Sequence, residues 1–257
     1  IITTSSIRTI AWFMKKLLIE VKDLWKAYNG KSAVSGLSLN VSAGEIHGLI
    51  GLNGAGKTTT IKCIVGLLRA DSGEIRVAGR DVYIDASYKS IIGYLPENPS
   101  LPEYLTLREF LIFVARIKGL SGSRADSEVW NKLALFELEE ISDQLIYELS
   151  RGMKQRLAIA AAIINDPDIL ILDEPFSGLD PEAQRVTKRV MRETANKGGA
   201  VLISTHILDA AERFCNRATI VHKGRTLIEG AIDELKSQVG LGPNASLEEA
   251  FIKIISS

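Results

Sequence analysis

The chain has 257 residues, of which 46% are hydrophobic, and its 31 basic side chains balance 31 acidic ones. This hydrophobic content is sufficient for a sizeable core in one large domain or two small ones, and the balanced charge gives no indication of a nucleic-acid-binding surface. The separated cysteines Cys63 and Cys215 lack metal-ligand spacing, so we expect a reducing compartment and no disulfide framework. The longest apolar runs, 17–19 and 158–164, fall far short of the ~20 residues that a spanning helix needs. A role at a membrane would therefore require docking on a separate membrane protein.

Residues 1–13 precede the first methionine, Met14, and have the sequence IITTSSIRTIAWF. They lack the long apolar region and the small-residue cleavage site of a secretory signal. We interpret them as an upstream segment or a remnant of expression, and expect a single domain over 14–257.

The first third of the chain is typical of strands joined by turns, followed by a loop and a helix. Alternating or branched apolar residues predict strands over 17–24, 32–41, 44–50 and 74–82. Asn29-Gly30 marks a tight turn between the first two strands. The strand at 44–50 runs into a glycine-rich loop, and a helix is predicted after it over 60–68.

The loop after the third strand, Gly51 to Thr58, has the sequence GLNGAGKT and fits the pattern G-x-x-x-x-G-K-[ST]. Its glycines let successive backbone N–H groups point at phosphate oxygens. We expect Lys57 to reach the β- and γ-phosphates and the Thr58 hydroxyl to bind Mg²⁺. The predicted nucleotide contacts are Asn53, Gly54, Ala55, Gly56, Lys57, Thr58 and Thr59. A ligand-free glycine turn is the alternative, and the loop alone does not separate a kinase, a GTPase and a transport ATPase.

The character of the sequence changes between 97 and 165, where apolar residues recur at helical spacing over 106–120 and 127–138. We interpret this region as a helical insertion. Two short apolar strands follow, 168–174 and 200–206, and each precedes a helix, as in a parallel sheet with crossovers. The chain ends with a hairpin over 221–230 and an amphipathic helix over 246–255.

Asp173 and Glu174 end the first of these later strands. A carboxylate at the position of Asp173 holds Mg²⁺ in P-loop folds, usually through water. Glu174 would face the γ-phosphate, where a carboxylate suits the orientation or deprotonation of an attacking water. The alternative is a pair of solvated charges that cap the strand end.

The segment Leu149-Ser150-Arg151-Gly152-Met153 places a hydroxyl and a glycine at the start of a basic helix, ahead of the apolar strand that ends in the acidic pair. By itself this is an ordinary helix start with Ser150 as N-cap. In this order of motifs, the chain resembles the ATP-binding cassette (ABC) family from about residue 17 to residue 232. The family signature is usually LSGGQ, so Arg151 replaces a glycine and Met153 a glutamine. The variant is similar to the exporter-type branch.

The resemblance implies roles for further residues. Lys57, Glu174 as catalytic glutamate and His206 as switch histidine would act on the γ-phosphate. Ser177 to Asp180 matches the D-loop, which crosses the dimer interface, and Asp180 would contact nucleotide there. Taken alone, His206 would be a structural histidine at a strand end.

Two more site residues follow from the resemblance. Tyr28 lies where the family places an aromatic that stacks on adenine, and its alternative is a structural tyrosine before a turn. Glu97 occupies the place of the Q-loop glutamine and would bind Mg²⁺ together with Thr58 and Asp173. An unspecialised surface residue before Pro99 is the alternative for Glu97.

The fold class that we predict is α/β, with a P-loop NTPase core around a mostly parallel sheet, an N-terminal antiparallel β subdomain and a helical insertion. The core would comprise 14–96 and 166–232, the helical subdomain 97–165 and the tail 233–257.

The function implied is that of an Mg²⁺-dependent ATPase subunit of an ABC transporter, with ATP and Mg²⁺ as cofactors. Two subunits would enclose two ATP molecules, with Ser150 and Gly152 of each covering the ATP of the other; a homodimer is expected and a heterodimer stays open. The dimer would lie on the cytoplasmic face of the membrane and drive a separate integral membrane permease, docked at the loop 99–107, for export. The alternative is a soluble ABC-type ATPase without a permease, as in iron–sulfur cluster assembly. A P-loop kinase or GTPase would leave the SRGM and SGLD motifs unexplained.

Overall fold

The computed structural model describes residues 16–242 and 245–256. The predicted upstream segment 1–13 lies outside these ranges and stays a prediction. The described residues form two sheets surrounded by helices, and the predicted α/β class with an antiparallel N-terminal sheet and a helical insertion is confirmed. None of the helices in the described ranges has the length and hydropathy needed to cross a bilayer.

The smaller sheet is antiparallel and has the strand order β2-β1-β4-β5. Its first strand continues four residues beyond the predicted end at residue 24. Asn29 and Gly30 both have positive φ, at 49° and 78°, as a tight hairpin turn requires. The predicted strand 74–82 is divided by a turn at 78–79. The strands are β1 Leu17–Tyr28, β2 Lys31–Ser42, β4 Ser72–Val77 and β5 Arg80–Asp81.

The larger sheet has the strand order β10-β9-β3-β8-β7-β6 and is parallel except for β10. Its central strands are buried along their whole length because helices and the smaller sheet cover both faces. The strands are β3 Ile46–Ile50, β6 Ile92–Leu95, β7 Ile169–Asp173, β8 Ala200–Thr205, β9 Arg217–His222 and β10 Arg225–Ala231.

The helices lie between these strands and after them. Helices α2, α3 and α4 form the insertion between β6 and β7, and α5 and α6 flank β8. The predicted helix over 60–68 begins earlier, at Lys57, and ends at Ile64, and the tail holds one more helix than predicted. The helices are α1 Lys57–Ile64, α2 Leu107–Ile117, α3 Gly122–Leu135, α4 Arg151–Ala162, α5 Pro181–Asn196, α6 Leu208–Phe214, α7 Ile232–Gln238 and α8 Leu247–Ser256.

The carboxyl ends of the parallel strands lie at one edge of the larger sheet. The glycine loop follows β3, Glu97 follows β6, Asp173 ends β7 and His206 follows β8. Ligand sites of open α/β sheets form at this edge. The topology therefore brings together residues that are as many as 155 positions apart, from Gly51 to His206.

Candidate functional site

The glycine loop connects β3 to the start of α1, and two of its glycines, Gly51 and Gly56, are sterically required. A Cβ at Gly51 would lie 2.4 Å from the carbonyl oxygen of Val221, and one at Gly56 would lie 2.6 Å from that of Ala33. Gly56 also has a φ of 102°, which L-residues rarely adopt. No side chain caps the N-terminus of α1, so its first N–H groups are available to an anion such as phosphate.

A cleft of about 310 Å³ lies over this loop, and it brings together most of the predicted nucleotide and metal residues. Glu97 and Glu174, which come from different strand ends, face the loop across it. Ala33 of β2 contributes to its wall and was not predicted. The cleft is lined by Ala33, Asn53, Gly54, Ala55, Gly56, Lys57, Thr58, Thr59, Glu97 and Glu174.

The Lys57 ammonium group lies inside the cleft with only 6% of the residue exposed. Its Nζ donates to the carbonyl oxygens of Gly51 at 2.7 Å and Leu52 at 3.3 Å. Oε1 of Glu174 is 3.7 Å from the same nitrogen. The ammonium is thus held at the loop, where a β- or γ-phosphate oxygen would become its partner.

Glu174 is held in an unusual backbone conformation beside the catalytic candidate His206. Its φ is 50°, in the left-handed region that a glutamate adopts at a cost of about 1–3 kcal/mol. Its N–H group donates to the hydroxyl of Ser204 at 3.0 Å. The Nδ1 atom of His206 lies 2.9 Å from Oε1 of Glu174. The carboxylate therefore lies between an imidazole and the Lys57 ammonium, an arrangement suited to accepting a proton from an attacking water.

Asp173 is completely buried and keeps one carboxylate oxygen without a protein partner. Ser204 donates its hydroxyl to Oδ1, while Oδ2 has no hydrogen bond. The hydroxyl of Tyr94 is also buried and unpaired, and burial, with the Asp173 charge, raises its pKa to about 12. An unpaired buried carboxylate oxygen fits a metal-bound water or a metal.

The residues present therefore fit Mg²⁺, which would be held by the Thr58 hydroxyl and Asp173, with Glu97 nearby. In the described ranges no three acidic, histidine or cysteine side chains cluster to hold a metal alone. Mg²⁺ is usually held by few protein carboxylates together with substrate phosphates and water. Bound Mg²⁺ would neutralise charge on the phosphates.

Ser150 and Gly152 do not lie at the glycine loop of their own chain. Ser150 is the N-cap of α4, and its hydroxyl accepts from the N–H group of Met153 at 3.3 Å. Neither residue lines the cleft that holds Lys57 and Glu174. The predicted nucleotide contacts of Ser150 and Gly152 therefore stay predictions.

Both carboxylate oxygens of Asp180 accept hydrogen bonds from its own chain. Oδ1 accepts from the N–H group of Ala183 at 2.9 Å, and Oδ2 accepts from Arg156 at 2.5 Å. These bonds hold the pKa of the Asp180 carboxyl below its usual range. Arg156 also donates to the carbonyl oxygen of Phe136 at 3.1 Å. The predicted nucleotide contact of Asp180 stays a prediction, and Arg156, which joins the D-loop to α4 and the end of α3, was missed.

Tyr28 ends β1 and has 45% of its surface exposed, but it does not line the cleft. If it stacks on adenine, Tyr28→Ala should weaken ATP binding about two- to tenfold, because an aromatic stacking contact is worth about 0.5–1.5 kcal/mol. Equilibrium binding of ATP measures the effect, with Tyr104→Ala, at another exposed tyrosine, as the control. An unchanged affinity in the Tyr28 variant would remove the adenine contact.

The fold and the cleft define a P-loop nucleotide-binding domain. Residues 34–177 match the family model described as ABC transporter. The Nod factor export ATP-binding protein I of Burkholderia orbicola (strain AU 1054) is 40% identical over 224 residues, which cover 86% of this chain and 74% of the relative.

Two solved structures share the fold over most of the chain. An ATP-binding subunit of an ABC transporter has a TM-score of 0.87 and 39% identity, covering 93% of this chain and 99% of that chain. A dimeric bacterial ABC transporter cassette has a TM-score of 0.77 and 25% identity, covering 83% and 98%. The chain belongs to the ABC transporter family as an ATP-binding cassette, and its cofactors are ATP and Mg²⁺.

Proposed function

We propose that this protein hydrolyses ATP as one of a pair of subunits that drives a separate integral membrane permease, for export, from the cytoplasmic face of the membrane. Two copies enclose two ATP molecules. Each site takes Lys57, Thr58, Asp173, Glu174 and His206 from one chain and Ser150 with Gly152 from the other. ATP binding closes the pair, and hydrolysis reopens it.

The observation that carries this proposal is the separation of the two halves of the site. Lys57, Glu174 and His206 converge within one chain, whereas Ser150 lies at the start of α4, away from their cleft. A hydroxyl and a glycine at a helix start suit contact with a γ-phosphate, because the Ser150 hydroxyl can still donate while it accepts from Met153. A second chain supplies that contact, as expected from the likeness to a dimeric cassette.

A groove of about 360 Å³ between the core and the helical insertion supports docking on a permease. Its wall is largely apolar and includes Leu67, which is 66% exposed, and Phe110 and Val114 of α2. An apolar groove of this kind accepts an amphipathic helix of a partner. Pro99 and Leu101 of the predicted docking loop line the groove, whereas Tyr104 does not. Because the groove spans both parts of the chain, its occupant would be moved when they move.

The export direction is supported by the variant signature and by the likeness to a Nod factor export protein. The soluble ABC-type ATPase remains the second candidate. It would leave the apolar groove beside Phe110 without an occupant.

Ser150→Glu is expected to abolish the ATP-dependent dimer and leave ATP binding to the monomer unchanged, because Ser150 faces the nucleotide of the partner only. The measurement is sedimentation of the Glu174→Gln protein with ATP-Mg²⁺, with and without the second change. Ser246→Glu is the matched control, since the Ser246 hydroxyl accepts from the N–H group of Glu249 at the start of α8. The site formed by two subunits would be contradicted if the Ser150→Glu protein still formed the dimer, or if its monomer no longer bound ATP.

A further inference from the structure

The two charged departures from the family motifs, Glu97 and Arg151, line a common cleft. It has a volume of about 270 Å³ and lies between the loop after β6, the start of α4 and the D-loop residue Ser177. Glu97 also lines the cleft over the glycine loop. Glu97 is exposed and therefore borders two clefts. One is the cleft over the glycine loop, where Mg²⁺ would bind, and the other contains the positively charged Arg151 guanidinium.

The second cleft offers hydrogen-bond donors that lack a strong acceptor. Within 16–242 and 245–256, Arg151 forms no ion pair, and its contact with the Ser177 hydroxyl is long, at 3.5 Å. Nε2 of Gln155 is buried without a partner in a residue that is 6% exposed. An unsatisfied buried amide N–H is costly. Lys154, in contrast, has a carboxylate 3.5 Å away, on Glu103.

The Glu97 carboxylate lacks a hydrogen-bond donor among the residues that the structure describes. In that part of the chain it forms neither an ion pair nor a hydrogen bond. A carboxylate has several acceptor sites, and a guanidinium and an amide are its ordinary donors. Arg151 and Gln155 are one turn apart on α4 and line the same cleft. Both residues therefore present N–H donors to the cleft that Glu97 also lines.

We propose that Glu97 and Arg151 form an ion pair that depends on the nucleotide. Without ATP-Mg²⁺ the Glu97 carboxylate turns toward Arg151 and Gln155; with ATP-Mg²⁺ it turns toward the metal. The inference rests on the proposed function, since it requires that the cleft binds ATP with a divalent cation. Arg151 is then a positioning residue that competes with the cation for Glu97.

The pair also links the nucleotide site to the D-loop. The Arg151 side chain contacts Ser177 and lies beside Gly178, where a Cβ would be 3.4 Å from Nε of Arg151. When the metal takes Glu97, Arg151 and the D-loop are released from the loop after β6. This release would accompany closure of the pair of subunits.

The test is binding of Mn²⁺, a probe for Mg²⁺, to the Glu174→Gln protein with ATP, measured by electron paramagnetic resonance of the free ion and compared with the same ATP concentration without protein. We expect Arg151→Gly, which restores the residue typical of the family, to tighten Mn²⁺ binding about three- to fivefold, the upper range for an exposed ion pair. In a Glu97→Gln background the same change should have no effect. Arg151→Lys should bind Mn²⁺ like the parent because it keeps the charge.

Lys154→Gln is the matched control, because it removes a neighbouring positive charge that is paired with Glu103. It should leave Mn²⁺ binding unchanged. If Arg151→Gly changed Mn²⁺ affinity equally with Glu97 and with Glu97→Gln, the effect would come from the overall electrostatic potential or from a structural change. That result would overturn the proposed Glu97–Arg151 ion pair. Failure of the parent Glu174→Gln protein to bind Mn²⁺ with ATP would instead overturn the proposed function.

Discussion

Glu174→Gln is expected to lower the rate of ATP hydrolysis about 100- to 10,000-fold, the contribution of a positioned general base. The amide keeps the size of the side chain, but it no longer accepts a proton from water. ATP binding should be retained because the Lys57 ammonium and the loop N–H groups are unchanged. The variant should therefore accumulate as a dimer with bound ATP.

Steady-state phosphate release gives the rate, and sedimentation with ATP-Mg²⁺ gives the oligomeric state. Glu248→Gln is the control, because Glu248 is an exposed glutamate in the first turn of α8. A Glu174→Gln protein that keeps more than about one tenth of the parent rate would exclude Glu174 as the general base, given the size of that contribution.

Lys57→Ala is expected to weaken ATP binding about 10- to 150-fold, since a hydrogen bond to a charged group contributes about 1.5–3 kcal/mol. The Lys57 ammonium lies at the loop, and its loss also leaves the Glu174 carboxylate facing the phosphates without a compensating charge. Both the lost ammonium and the uncompensated carboxylate lower the affinity for the negatively charged phosphates of ATP.

Calorimetric titration with ATP-Mg²⁺ measures this loss. Lys62→Ala is the matched control, because Lys62 belongs to the last turn of the same helix and is exposed. Comparable affinities of the Lys57 and Lys62 variants would contradict the role of Lys57 in phosphate binding.

Much of the site could be predicted because its elements are local in sequence. The glycine loop is a continuous motif between a strand and a helix, and Asp173 follows an unbroken apolar strand. Parallel topology then brings the ends of the predicted strands 168–174 and 200–206 to one edge, so the proximity of Glu174 and His206 follows from the order of these strands. The backbone N–H groups that would bind phosphate also belong to one short segment, Gly51 to Thr58, which includes the start of α1.

The remaining features depend on packing between distant segments. Strand β6 has four residues, too few for a periodic pattern, and Gly93 in it passes so close to α4 that a Cβ would lie 2.2 Å from the carbonyl oxygen of Ala162. The Arg156–Asp180 ion pair joins residues 24 positions apart, and no local pattern indicates it. Ser204 supports both acidic residues, and its only signal is a polar residue near the end of an apolar strand.

The central claim is that this cassette drives an integral membrane permease. The most direct test is affinity capture of the Glu174→Gln protein from detergent-solubilised native membranes with ATP-Mg²⁺, with mass spectrometry of the bound proteins and Lys57→Ala as the control. We expect a stoichiometric protein with several membrane spans, retained by Glu174→Gln with ATP. A soluble partner from the cytosolic fraction, with none from the membranes, would contradict the claim and favour the soluble ATPase.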